Sequence, residues 1–95
     1  MEFFIKEQSW VAKAAAKKLH SQNVAIVLGK TIHLYNISKE HFLMDERWVK
    51  HEMCHVHQFK KYGFLTFIIK YLWESIRHGY FNNRYEIEAR QAEDN

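Results

Sequence analysis

Apolar and polar positions divide the chain into stretches of different period. From Glu2 to His20 apolar residues recur at helical spacing, with Phe4, Val11, Ala15 and Leu19 in one row and Phe3, Trp10 and Ala14 in the next, so a first helix is expected there. Ser21-Gln22-Asn23 interrupts it. Val24 to Leu28 and Thr31 to Asn36 are β-rich runs separated by Gly29-Lys30, which predicts a hairpin with Gly29 in the turn. In its second strand Ile32 and Leu34 share one face, and His33 and Tyr35 the other. Ser38 to Met44 links the hairpin to the next helix and is expected to be partly helical.

That next helix has both ends marked. Asp45 is a candidate N-cap, Gly63 a candidate residue just past the C-terminus, and no proline intervenes. At about 100° per residue, one sector gathers His51, His55, Gln58, Tyr62 and Trp48, with Glu52 and Phe59 at its edge. Val49, Met53 and Val56 form the opposite sector. Lys50, Cys54, His57 and Lys61 lie between, so His57 and Cys54 read as residues of a solvent-facing strip. The run from Phe64 to Ile76 is apolar nearly all round, which predicts burial between other helices, or failing that a homo-oligomer or membrane-surface contact. It is too short to span a bilayer and carries Lys70 and Glu74, so no transmembrane segment is expected. A last helix follows Asn82-Asn83, with Tyr85, Ala89 and Ala92 on its apolar side. The pattern as a whole predicts an α+β fold, helix-rich with a short β-hairpin.

Composition narrows this further. Ninety-five residues suit one domain, 1–95, with a modest core, and 47% hydrophobic residues with only 3 glycines favour a folded, helical chain. One cysteine excludes an internal disulfide framework and fits a reducing compartment. The charges in Met1-Glu2-Phe3-Phe4-Ile5-Lys6-Glu7 come too early for a secretory apolar region, so a cytoplasmic location is expected. A net charge of +3, with lysines at 13, 17, 18, 60 and 61, is explained by solvated helix faces. Without a recognition-helix or RNA-binding signature or a glycine-rich phosphate loop, no nucleic acid or nucleotide partner is expected.

The chemistry is concentrated in His51-Glu52-Met53-Cys54-His55, which reads HExxH. Histidines four residues apart lie one helical turn apart on one face, from which both rings reach a single metal ion at about 2.0–2.1 Å. Glu52 stands beside them, where its carboxylate can take a proton from an activated water. Catalytic zinc takes three protein ligands and leaves one position open. Glu86 and Glu88, in the last helix, compete for the third place, and their positions on the helical wheel do not choose between them.

HExxH followed some tens of residues later by E-x-x-A resembles the gluzincin metallopeptidases, in particular the HtpX-type and CAAX-prenyl-protease-type branch and the soluble minigluzincins. The resemblance spans roughly residues 31 to 91. It implies a small zincin-like domain with Zn2+ held by His51, His55 and Glu86, because the first glutamate of E-x-x-A-D is the family's third ligand. Arg90 stands where the family has the aspartate that hydrogen-bonds a ligating histidine, so some other acceptor must orient His51 or His55. The family also places a strand along the cleft, which makes the hairpin a candidate for pairing with an extended peptide or protein substrate.

Zinc-dependent peptide hydrolysis with Glu52 as general base is therefore the expected activity. Tyr85 and His78 are the favoured transition-state stabilisers, ahead of Tyr80 and Arg84. The alternative is a catalytically silent or latent zinc-binding interaction module on the same scaffold. Related minimal gluzincins are held latent by terminal segments; here Glu93-Asp94-Asn95 looks too short to plug a cleft, whereas the first helix is long enough.

Overall fold

A computed structural model describes residues 3–95. The chain runs β1 (Phe4–Lys6), α1 (Trp10–Leu19), β2 (Val24–Leu28), β3 (Thr31–Tyr35), α2 (Lys39–Met44), α3 (Glu46–Tyr62), α4 (Phe64–His78) and α5 (Arg84–Ala92). The fold is α+β, as the pattern predicts. The sheet has the order β1-β3-β2, with β1 parallel and β2 antiparallel to β3. Leu28 pairs with Thr31, so Gly29 and Lys30 form a two-residue turn in which Gly29 takes φ 66. A Cβ there would also meet the Phe64 ring at 3.4 Å, so the turn position and the packing both favour glycine.

The N-terminal segment differs from the expected single helix. Phe4–Lys6 instead pairs with Thr31–His33, and the helix starts only at Trp10. Gln8, at φ 50, turns the chain, and buried Ser9 caps α1 by accepting from the Val11 amide at 3.2 Å. The Phe3–Ile5 run is apolar in either periodicity; the unpaired edge of β3 decides in favour of a strand. Glu2, where the helix was expected to begin, lies outside the described residues.

Alternation along β2 and β3 divides the core between the two faces of the sheet. Val27, Ile32 and Leu34 pack with Phe42, Val56, Phe59, Phe67 and Tyr85 on the helical side. Val24 packs with Ala12 and Ala16 of α1 on the other. Burying that many large side chains at roughly 25 cal/mol per Å² is the main term holding the layers together. The α2 segment realises the partly helical connection, and Phe42 is its buried anchor.

Asp45 caps α3 by accepting from the Trp48 amide at 3.1 Å, and Gly63 ends the helix at φ 87, both as expected. Asn83 caps α5 through the Tyr85 amide at 2.8 Å. The long apolar run is not buried as expected. Of α4 only Phe67 is buried, while Leu65, Ile69, Leu72, Trp73 and Ile76 are all more than half exposed. The reason is positional: α4 docks mainly along α3, with Phe67 reaching the core, and no other element packs extensively on its remaining faces among the described residues. Among the described residues no helix is long and apolar enough to cross a membrane.

Candidate metal centre

Packing of α5 against α3 brings Glu86 opposite the paired histidines. His51 Nε2 lies 3.0 Å from Glu86 Oε1, and His55 Nε2 lies 3.2 Å from Glu86 Oε2. One ligand atom from each of the three residues falls within 4.8 Å of the others, so His51, His55 and Glu86 form a group that could hold a metal ion. The two rings stand edge to face, centroids 5.1 Å apart, with Nε2 of each turned to the same carboxylate.

The donor chemistry fits a divalent cation. Each imidazole is held by its other nitrogen: His51 Nδ1–H donates to Glu93 Oε2 at 2.7 Å, and His55 Nδ1–H donates to Gln58 Oε1 at 2.8 Å. That fixes the tautomer in which Nε2 offers its lone pair to a metal. Gln58 is locked in turn, donating to Glu88 Oε1 at 2.9 Å and to the Tyr85 carbonyl at 3.2 Å. The Tyr71 hydroxyl donates to Glu86 Oε2. No buried side-chain polar atom lacks a partner among the described residues.

Without the cation, protons take its place. Burial works to lower the His51 pKa, but hydrogen bonds with Glu86 and Glu93 and the charge of Glu52 outweigh it and raise it to about 9. His55 is raised for the same reasons, against burial, by Glu86 and Glu52. Glu86 moves far below the usual carboxylate range: burial alone would raise it, and the two imidazoles and Tyr71 overcome that. Glu52 goes the other way, pushed up to about 7 by burial, with the nearby imidazolium charges pulling against it. Such a concentration of buried charge is expensive for a fold and characteristic of a functional site.

Glu86, not Glu88, is the carboxylate that faces both histidines. Glu88 sits one layer out, bonded to Gln58 and 3.7 Å from the Cys54 sulfur. Cys54 is accordingly half-buried against α5 rather than on a solvent strip, and burial followed by Glu88 pushes its thiol up to about 12. His57 is exposed, as expected. Arg90 turns away from the centre to the Phe81 carbonyl and ring.

Neither favoured stabiliser reaches the centre. Tyr85 is buried in the core against Phe67 and Tyr62, and His78 is exposed at the end of α4. The tyrosines at the site are Tyr71 and Tyr80, whose hydroxyls are raised by burial and then by the charge of Glu86. Tyr71 was concealed by the apolar run around it. Glu93 had a readable signal, because it follows Glu86 by seven residues, two turns, on the same face of the helix.

A cavity of about 500 Å³ opens on this cluster. His51, Glu52, His55, Tyr71 and Glu86 occupy one wall, while Leu19, Ile26, Leu28, Phe67, Ile68 and Leu72 line the remainder. A second, more polar cavity of about 480 Å³ shares Leu19, Ala25, His51, Glu52 and Tyr80 with the first, so both open on Glu52. Along both runs β2, the terminal strand of the sheet, whose outer edge has no strand partner among the described residues. Comparison with known protein families, with curated proteins and with solved structures finds no match to this chain.

Proposed function

We propose that the protein is a zinc-dependent peptidase of gluzincin type, with His51, His55 and Glu86 as ligands and Glu52 as general base. The observation that carries this is the convergence of two Nε2 atoms and one buried carboxylate beside a second buried carboxylate, Glu52. Two imidazoles and one carboxylate are a donor set that suits zinc. A zinc ion held by these three residues would supply Lewis acidity, acidifying water and polarising a carbonyl.

The chain's own groups do the rest. Glu52, buried beside the two imidazoles, takes a proton from the attacking water at a carboxylate oxygen and later passes it to the leaving amine. Tyr80, half-exposed where the two cavities meet, stays protonated and offers its hydroxyl to the developing oxyanion. An extended peptide pairs with the free edge of β2 and places its scissile bond over Glu52. The exposed apolar face of α4 is the surface we assign to a homo-oligomer or membrane contact.

The test is purified protein with near-stoichiometric zinc that cleaves casein or a peptide library. Glu52→Gln should retain the metal and lose about 10²–10⁴-fold in rate. Cleavage undiminished in Glu52→Gln rejects the mechanism. A second reading, a latent or silent zinc-binding module, is favoured by Ala15, Lys18 and Leu19 of α1, which wall the cavity opposite the histidines. Tight zinc binding with no peptide cut from a diverse library selects it.

A further inference from the structure

We infer that Glu93 is a positioning residue for the metal centre, holding the His51 ring from the side opposite Glu86. This rests on the metal-site reading above and extends it to a residue outside the ligand set. Glu86 and Glu93 stand two turns apart on one face of the C-terminal helix and its cap, and each meets a different nitrogen of the same imidazole, at 3.0 Å and 2.7 Å. His51 is therefore gripped at both ends by carboxylates from one short segment. Arg90, on the turn between them, leaves the space clear by pairing with Phe81.

The two histidines differ in what they need. His55 is buried and held by Gln58 three residues on in the same helix, an amide that Glu88 and the Tyr85 carbonyl lock in place. His51 borders the more polar cavity, and its ring nitrogens meet only Glu86 and Glu93 of the C-terminal segment, with no partner from its own helix among the described residues. A partner from another element has to hold it, and Glu93 is itself held: Arg47 Nη2 donates to Glu93 Oε1 at 3.2 Å while Arg47 Nη1 donates to Asp94. A charged acceptor also makes the imidazole a stronger donor to a metal than a neutral amide does. The orientation of the His51 ring thus depends on Glu93 and, through it, on Arg47.

Zinc affinity, measured by competition with a chromophoric chelator, and the visible spectrum of the cobalt-substituted protein test this. Glu93→Ala should weaken zinc about tenfold or more and alter the cobalt spectrum. Glu93→Gln, which keeps an acceptor but not the charge, should recover part of the affinity. Asp94→Ala, which loses an Arg47 partner without touching His51, should match the wild type within about twofold. If Glu93→Ala does not fold by circular dichroism, Glu93→Gln against Asp94→Ala decides. Wild-type protein that binds zinc while the Glu93 variants bind it equally well overturns the inference and leaves the centre standing. Wild-type protein that takes up no zinc overturns both.

Discussion

Helices α3 and α4 are neighbours of similar length, 17 and 15 residues, separated only by Gly63, and their fates are opposite. The more polar one is central. It buries Glu52, His55 and Gln58 beside Val56 and Phe59, and its polar groups are met by α5. The more apolar one lies outside and buries Phe67 alone. Hydrophobicity says how much surface a helix would gain by being covered, not whether the topology leaves it a neighbour. Helix α3 is central because its buried polar groups find their partners on α5.

The largest effect that should separate the helices in stability is at Phe67, whose ring packs edge-on to Phe59 at 4.7 Å and Tyr85 at 5.1 Å. Phe67→Ala is expected to cost about 3–5 kcal/mol in urea unfolding, as a large buried aromatic would. A loss below about 1 kcal/mol would mean that α4 is not docked on α3 as described.

Next comes pH, which should act through α3 and not α4. Glu52 is raised in the folded state from 4.5 to about 7, and His51 from 6.5 to about 9. Both raised groups contribute stability at low pH that is lost as pH climbs through their folded values. Glu86, lowered in the fold, contributes above its unfolded value and is already fully ionised through this range. Metal-free protein should therefore lose stability steadily between about pH 5 and pH 9, and Glu52→Gln should remove the lower part of that slope. Zinc should reverse the trend, since it competes with protons for the imidazoles and its binding strengthens as they leave. A metal-free melting temperature that rises from pH 6 to pH 9 would contradict the charge arrangement of the site.

The smallest effect is expected on the outer face of α4. Leu65→Ser, at a position 68% exposed, should change stability by no more than about 0.5 kcal/mol. A much larger loss would show that the ridge is covered in solution, and a matching change in oligomeric state would identify a second copy as the cover.

Much of the centre was legible because helical geometry is local. HExxH, its caps at Asp45 and Gly63 and the cap at Asn83 all depend on neighbours a turn away, and they fall where the sequence indicates. The long-range choices were not local. Glu86 and Glu88 are indistinguishable on their own helix, and only the approach of α5 to α3 turns one to the imidazoles and the other to Gln58. Tyr85 was misplaced as a stabiliser because nearness in sequence to Glu86 puts it on the opposite, core side of the helix. The Phe4–Lys6 strand was missed because its pairing partner lies 27 residues away in register, Phe4 with Thr31, beyond any helical or alternating pattern.

Everything proposed for this site depends on His51, His55 and Glu86 sharing one divalent cation. Elemental analysis of protein purified without added metal measures that directly. The wild type should carry close to one zinc per chain and Glu86→Ala almost none, with both folded by circular dichroism. Zinc absent from the wild type, or retained at the same level in Glu86→Ala, would contradict the account.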